Sequence, residues 1–299
     1  MTYRKITAEE ISKLINCHYV GQNVEINGLN LCNRQSEYKS ILSYITAGKY
    51  IDAVNGNNAV SALFIPTQIS GTVLENLSRE VTLFVVDHPE EEFYKLHETL
   101  FSNGFYSIVE NPPIIGEHCS IHPSVVIENN VVIGNNVTVG PNSVIRKNSV
   151  IEDNVRIGCC SVIGSEGFQG IRFSDGTVHA ISHAGGTKIC KHVFIGDNTT
   201  IGNALFEGQT VIDDGTIIDN HVYIAHNLTI GKNNVITACS LLMGSAVIKD
   251  NCWLAPNSVV MNKKIINDNS MVGSMSLVTK DVPKGETVVG IPAKLWKKP

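Results

Sequence analysis

Counting forward in sixes from Ile115, the chain places a branched aliphatic at every step: Ile121, Ile127, Ile133, Val139, Ile145, Ile151, Ile157 and Ile163. A second run holds Ile189, Ile195 and Ile201, and a third runs without a miss from Ile212 through Ile218, Ile224, Ile230, Ile236, Leu242, Ile248, Leu254, Val260, Ile266 and Val272 to Val278. Two positions before many of these sits a small or apolar residue (Val131, Val137, Ser143, Ser149, Val155, Ser161), and the next residue is often glycine, as at 116, 134, 140, 158 and 164. A period of six does not fit an α-helix, whose side chains repeat every 3.6 residues. It does fit a three-sided prism. Each hexad is a short strand plus a corner, three hexads close one coil, and each inward aliphatic stacks on its equivalent one coil away at roughly 4.8 Å. Branched residues suit such pleated surfaces. The twenty-four hexads predict about eight coils.

Two irregularities interrupt the count. Residues 165–188 form an insertion, and the spacing from Ile201 to Ile212 is 11 rather than 12, which reads as one hexad a residue short. The expected domains are therefore 1–108, 109–285 and a tail, 286–299. The N-terminal part lacks the hexads and reads as a small α/β domain. Thr7-x-x-Glu10 looks like a capping box opening a helix with Ile11, Leu14 and Ile15 on one face. Val24–Leu31 and Ser61–Ile65 look like strands, and Phe93, Leu96, Leu100 and Phe101 suit a second amphipathic helix stopped near Gly104. Asn111-Pro112-Pro113 marks the boundary.

Composition narrows the function. With 43% hydrophobic and 17% charged residues the chain can build a large core. A net charge of −5 and the absence of a long basic run disfavour nucleic acid as a partner, since phosphate attraction needs clustered Lys and Arg; the short basic group Lys294, Lys297 and Lys298 reads as a solvated tail. Eight scattered cysteines without a Cys-x-x-Cys argue against a disulfide framework or a thiolate zinc site and fit a reducing cytoplasm. Neither a signal peptide nor an integral membrane segment is expected.

Three stretches together resemble the UDP-3-O-(3-hydroxyacyl)glucosamine N-acyltransferases of lipid A synthesis. Leu42-Ser-Tyr-Ile-Thr-Ala-Gly-Lys-Tyr50 looks like that family's uridine-binding segment, Ile217-Ile-Asp-Asn-His-Val-Tyr-Ile-Ala-His-Asn227 like its catalytic coil, and Gly290-Ile-Pro292 with Trp296-Lys297 like the end of its prism. Hexads alone point only to the wider hexapeptide-repeat acyltransferases; the N-terminal domain narrows the match. The resemblance implies a mainly β, left-handed parallel β-helix and a homotrimer with sites in grooves between prisms.

The resemblance also implies roles for single residues. His226 is the expected general base, because an attacking amine or hydroxyl must lose a proton and an imidazole titrates near neutrality; an ordinary corner histidine is the bland alternative. Gly244, 18 residues on, should stack beside it, its N–H polarising the thioester oxygen as in the family's Gly-Ser pair; otherwise it is a corner glycine. Tyr44 and Tyr50, with Lys49 between them, match the place where the family sandwiches uracil, with Tyr44 in place of the usual Phe; partly buried core is the alternative. Asn227 and Asp219 are expected at the substrate, Asp219 only through a neighbouring subunit. Lys263 stands where the family carries a second histidine and is suited to a phosphate.

The match frays in places. Gly202-Asn-Ala-Leu-Phe-Glu-Gly208 replaces the family's Asp-Arg-Gly-Ala-Leu-Asp-Asp. The insertion opens with a familiar Glu-Gly-Phe168 but continues differently, with His179 and His183, and the family's C-terminal helical extension has no counterpart. The expected reaction moves a 3-hydroxyacyl group from an acyl carrier protein thioester to the amine of a UDP-linked glucosamine, with no bound cofactor and no metal. One alternative is acetyl-CoA-dependent N- or O-acetylation of a UDP-linked deoxy or amino sugar, to which the tail Val289-Gly-Ile-Pro-Ala-Lys294 lends support. Another is a zinc hydratase using His221, His226 and either His183 or His192. The last is a non-catalytic scaffold.

Overall fold

A computed structural model describes residues 5–34, 36, 38–106 and 110–296. The expected boundary at 108–109 and the tail residues Lys297 and Lys298 lie outside the described residues. The chain divides into two compact units, one of residues 1–109, 169–184 and 206–208, the other of 110–168, 185–205 and 209–299.

The larger unit is the hexad prism. Its three parallel sheets wind as a left-handed β-helix. The first sheet runs from Val126–Ile127 to Leu277–Val278, the second from Ile114–Ile115 to Ile265–Ile266, and the third from Ser120–Ile121 to Met271–Val272. The chain visits them in the order second, third, first. Inward aliphatics stack in register, Ile127 on Ile145 on Ile163, and from Ile133 to Val278 the inward aliphatics are buried. The small residues two places earlier are also buried, and where polar they cross-link coils. Ser161 Oγ donates to the Gly196 carbonyl at 2.7 Å and accepts the Thr199 N–H at 3.1 Å. Three residues after most inward aliphatics the backbone turns left-handed, commonly at asparagine: φ is 56° at Asn136, 62° at Asn154 and 59° at Asn251. Asparagine tolerates that region better than other non-glycine residues.

The register corrects the reading of the second irregularity. Ile189 stacks directly on Ile212, and strand Thr200–Gly202 of the first sheet leads straight to Gln209–Ile212 of the second. The interval of 11 is therefore a single six-residue step carrying five extra residues at its corner, not two hexads with one missing. The insertion interrupts the same kind of corner, between Val162–Ser165 and Gly186–Ile189. At the far end Thr287–Val289 adds another parallel rung to the third sheet, past residue 285, and Lys294–Leu295 turns back antiparallel.

The smaller unit is α/β. Its five-stranded sheet has the order Tyr19–Val20, Thr82–Val86, Val60–Pro66, Ile41–Tyr44, Gly28–Leu29, parallel except for the first strand. The capping box is present: Thr7 Oγ1 accepts the Glu10 N–H at 3.2 Å while Glu10 accepts the Thr7 N–H at 2.8 Å. The helix it opens, Ala8–Ile15, ends after two turns at left-handed Asn16; it buries Ile11 but leaves Leu14 46% exposed. The expected strand 24–31 is two pieces. Glu25–Ile26 pairs with Ile6–Thr7, and after Asn27 the chain passes to the larger sheet at Gly28–Leu29. Helix Pro89–Ser102 begins earlier than its apolar residues suggest, with proline in its first turn, and stops before Gly104 at φ 72°. The middle of the insertion, Gly170–Arg172 with Val178–Ala180, is a β-hairpin of this unit.

Candidate functional site

Strand Tyr223–Ile224 leaves the first sheet and Thr229–Ile230 enters the second; His226 sits on the corner between them, half-buried. Its backbone is pinned by the coil that follows, since the Ser245 N–H donates to the His226 carbonyl at 3.0 Å. Gly244 lies against the ring. A Cβ there would stand 2.7 Å from His226 Nε2 and 2.9 Å from Cε1, so the imidazole occupies the space a side chain would fill. Among the described residues the Gly244 N–H donates to no acceptor.

On the other side His226 Nδ1 is 2.9 Å from Asn227 Oδ1. Asn227 is left-handed at φ 59°, and its N–H donates to Thr210 Oγ1 at 2.9 Å. The same Oδ1 accepts the Leu205 N–H at 3.0 Å. Leu205 belongs to the five-residue excursion identified above. This contact is not visible in the sequence. The odd spacing from Ile201 to Ile212 was the available signal, though nothing in it names a donor.

The remaining residues of the prism fall as follows. Lys263 follows Asn227 and Ser245 in one column of left-handed corners, φ 61°, exposed, its N–H on the Gly244 carbonyl at 3.1 Å. Two coils put it about 10 Å along the prism from Asn227. Asp219 occupies a different corner, between the third and first sheets. Its carboxylate accepts the Asn220 N–H at 2.7 Å and its carbonyl the Thr199 hydroxyl at 2.9 Å. Within one chain it is not brought to His226. The histidines of the zinc reading scatter as well: His192, His221 and His226 stand on three different corners, and His183 belongs to the smaller unit. The group of possible metal ligands that does gather among the described residues is Glu152, Cys190 and Asp214. There burial pushes the Cys190 thiol up to about 11, and Lys188 holds Glu152 at 2.9 Å.

In the smaller unit Tyr44 ends strand Ile41–Tyr44. Its ring is 5.0 Å from Phe93 and 6.1 Å from Tyr94, and its hydroxyl donates to Glu90 at 2.8 Å. Burial, then the neighbouring Tyr94 and Glu90, push its phenol far above the ordinary range. Tyr44 thus packs partly into the core of this unit. Tyr50 is 37% exposed, with the Lys49 ammonium 5.1 Å over its ring. Beyond the carboxyl ends of the parallel strands lies a cleft of about 700 Å³, bordered by Thr46, Pro66, Asp87, His88 and Glu90 and, from the hairpin, Arg172 and Phe173. Open α/β sheets bind ligands at that edge. The contribution of the hairpin was not visible in the sequence.

Comparison with known proteins bears on the fold and the family. The model of the family "Bacterial transferase hexapeptide (six repeats)" matches residues 112–147 and 130–165. The UDP-3-O-acylglucosamine N-acyltransferase of Campylobacter lari is 31% identical over 306 residues, covering 96% of this chain and 93% of its own. Among solved structures, the UDP-N-acetylglucosamine acyltransferase from Campylobacter jejuni superposes with a TM-score of 0.55 at 20% identity, over 63% of this chain and 71% of its own. That from Francisella novicida gives 0.50 at 24%, over 63% and 68%. At these identities the two structures bear on the fold alone. The stacked hexads and the match to the Campylobacter lari enzyme make this an acyltransferase of the hexapeptide-repeat class. Within that class the chain belongs to the UDP-3-O-acylglucosamine N-acyltransferase family. Among the described residues no helix is long and apolar enough to cross a membrane.

Proposed function

We propose that this enzyme transfers a 3-hydroxyacyl group from acyl carrier protein to the amine of a UDP-linked 3-O-acylglucosamine, with His226 as general base. The amine nitrogen adds to the thioester carbonyl while His226 Nε2 takes its proton. The Gly244 N–H receives the developing oxyanion, a contact of the kind worth about 3 kcal/mol. Collapse breaks the C–S bond, and the departing thiolate takes the proton back from the imidazolium, leaving an amide and a free thiol. No bound cofactor enters. In this reading Tyr44, Tyr50 and Lys49 receive the uridine, and Lys263 serves a phosphate. Asp219 acts only from a neighbouring copy in a homotrimer. Both substrates belong to the cytoplasm.

The observation that carries the reading is the close packing of His226 against Gly244, which sets a base beside a backbone donor on one corner. His226→Ala is expected to keep the fold, the melting temperature and the three-chain mass while losing about 10²–10⁴-fold in turnover. Near-normal turnover in that variant defeats the assignment. Wild-type enzyme offered acetyl-CoA should give no product where hydroxyacyl carrier protein does; the reverse outcome selects the acetyltransferase alternative.

A further inference from the structure

The donor to Asn227 is a backbone N–H, and a backbone N–H can only donate. At 3.0 Å from Leu205 N, the Asn227 side-chain atom must therefore be the carbonyl oxygen and not the amide nitrogen. That settles which way the amide faces. The same oxygen is 2.9 Å from His226 Nδ1. Oxygen presented to a ring nitrogen accepts, so Nδ1 carries the hydrogen and a neutral ring leaves its lone pair on Nε2. Nε2 is the nitrogen that faces Gly244.

We propose that Asn227 is a positioning residue rather than a substrate contact: oriented by the Leu205 N–H, its amide holds His226 in the tautomer with hydrogen on Nδ1. The five extra residues between Thr200–Gly202 and Gln209–Ile212 then have a task in the prism itself, because they carry the Leu205 N–H to the corner that precedes His226. The inference rests on the proposed role of His226 as base, since only a base needs its lone pair on a particular nitrogen.

Nitrogen-15 spectroscopy of the whole protein reads the tautomer without substrate, the His226 signals being recognised by their absence from His226→Ala. The wild type should show a protonated Nδ1 and a bare Nε2. Asn227→Gly removes the amide yet suits the left-handed backbone at φ 59°. It should lose the single tautomer and about 10²-fold in kcat, with the KM of both substrates within about twofold. Asn227→Asp keeps the acceptor and adds a charge that favours the imidazolium. It should retain the tautomer, shift the acidic limb of the pH–rate profile to higher pH, and recover kcat to within about threefold above that limb. Hydrogen on Nε2 in the wild type overturns the proposal, as does an unchanged tautomer or unchanged kcat in Asn227→Gly. Undiminished turnover by His226→Ala sinks the base reading whatever the spectrum shows.

Discussion

An added methyl at Gly244 has no room except that held by the His226 ring. The φ of Gly244 lies outside the left-handed region, so alanine is acceptable to the backbone there and the conflict is with the imidazole alone. Gly244→Ala should therefore cost little stability but about 10–100-fold in kcat, the scale of an ångström's misplacement of a catalytic group. Steady-state kinetics beside a thermal melt separates the two effects, and full activity would place the base elsewhere. The stacking of Gly244 beside His226 was legible in the sequence, because the 18-residue coil brings the two to one corner. The partnership with Leu205 was not, since a backbone donor leaves no mark on residue identity. Tyr44 was legible only by likeness; its contacts with Phe93 and Glu90 depend on packing.

Helix Pro89–Ser102 supplies a second histidine of fixed tautomer, with the opposite outcome. His97 is fully buried, its Nε2 2.8 Å from the Ser182 carbonyl and its Nδ1 2.8 Å from the Tyr106 hydroxyl, so Nε2 carries the hydrogen. Burial lowers its pKa. The unfolded chain takes up a proton below about pH 6.5 while the folded one resists, so the unfolded state binds more protons in that window and stability rises with pH there. His97 thus stabilises fully above about pH 6.5, and the contribution fades as pH falls below it. Melts of the wild type between pH 7.5 and 5.5 should show a drop that His97→Gln flattens; equal slopes would refute the burial argument. In the prism the corresponding element-scale device is the left-handed corner. Asn251, exposed at φ 59°, should tolerate glycine and lose about 1 kcal/mol as alanine, read from chemical denaturation. Inward aliphatics and small neighbours were legible because burial repeats with the period. The split of residues 24–31 left only a faint mark, the change of apolar phase from Val24 and Ile26 to Leu29 and Leu31 across Asn27, where pairing changes sheet.

The smaller unit is assembled from three separate stretches of chain, 1–109, 169–184 and 206–208. Phe206 is buried at 1% exposure with its ring 5.2 Å from Phe93, 5.8 Å from Tyr94 and 5.0 Å from His97. Glu207 beside it accepts from Asn30 at 3.1 Å and from the Ser36 hydroxyl. Phe206→Ala should destabilise this unit by about 3–5 kcal/mol, read by hydrogen exchange within Pro89–Ser102, with prism amides unaffected. Loss confined to the prism would contradict the division. The sequence showed where the hexads break but not to which unit the interrupting residues belong, because membership is decided by contacts between distant segments. The repeat itself has a genetic corollary. Each coil returns the chain to the same corner after eighteen residues, as Ile127 over Ile145 shows. Duplication or deletion of one whole turn keeps every later side chain facing as before, whereas a change of any other size rotates all that follows. The exception is extra sequence that leaves and rejoins at a single vertex, as the stretches 166–185 and 203–208 do. The prisms of relatives should accordingly differ in length by full turns or by loops at vertices.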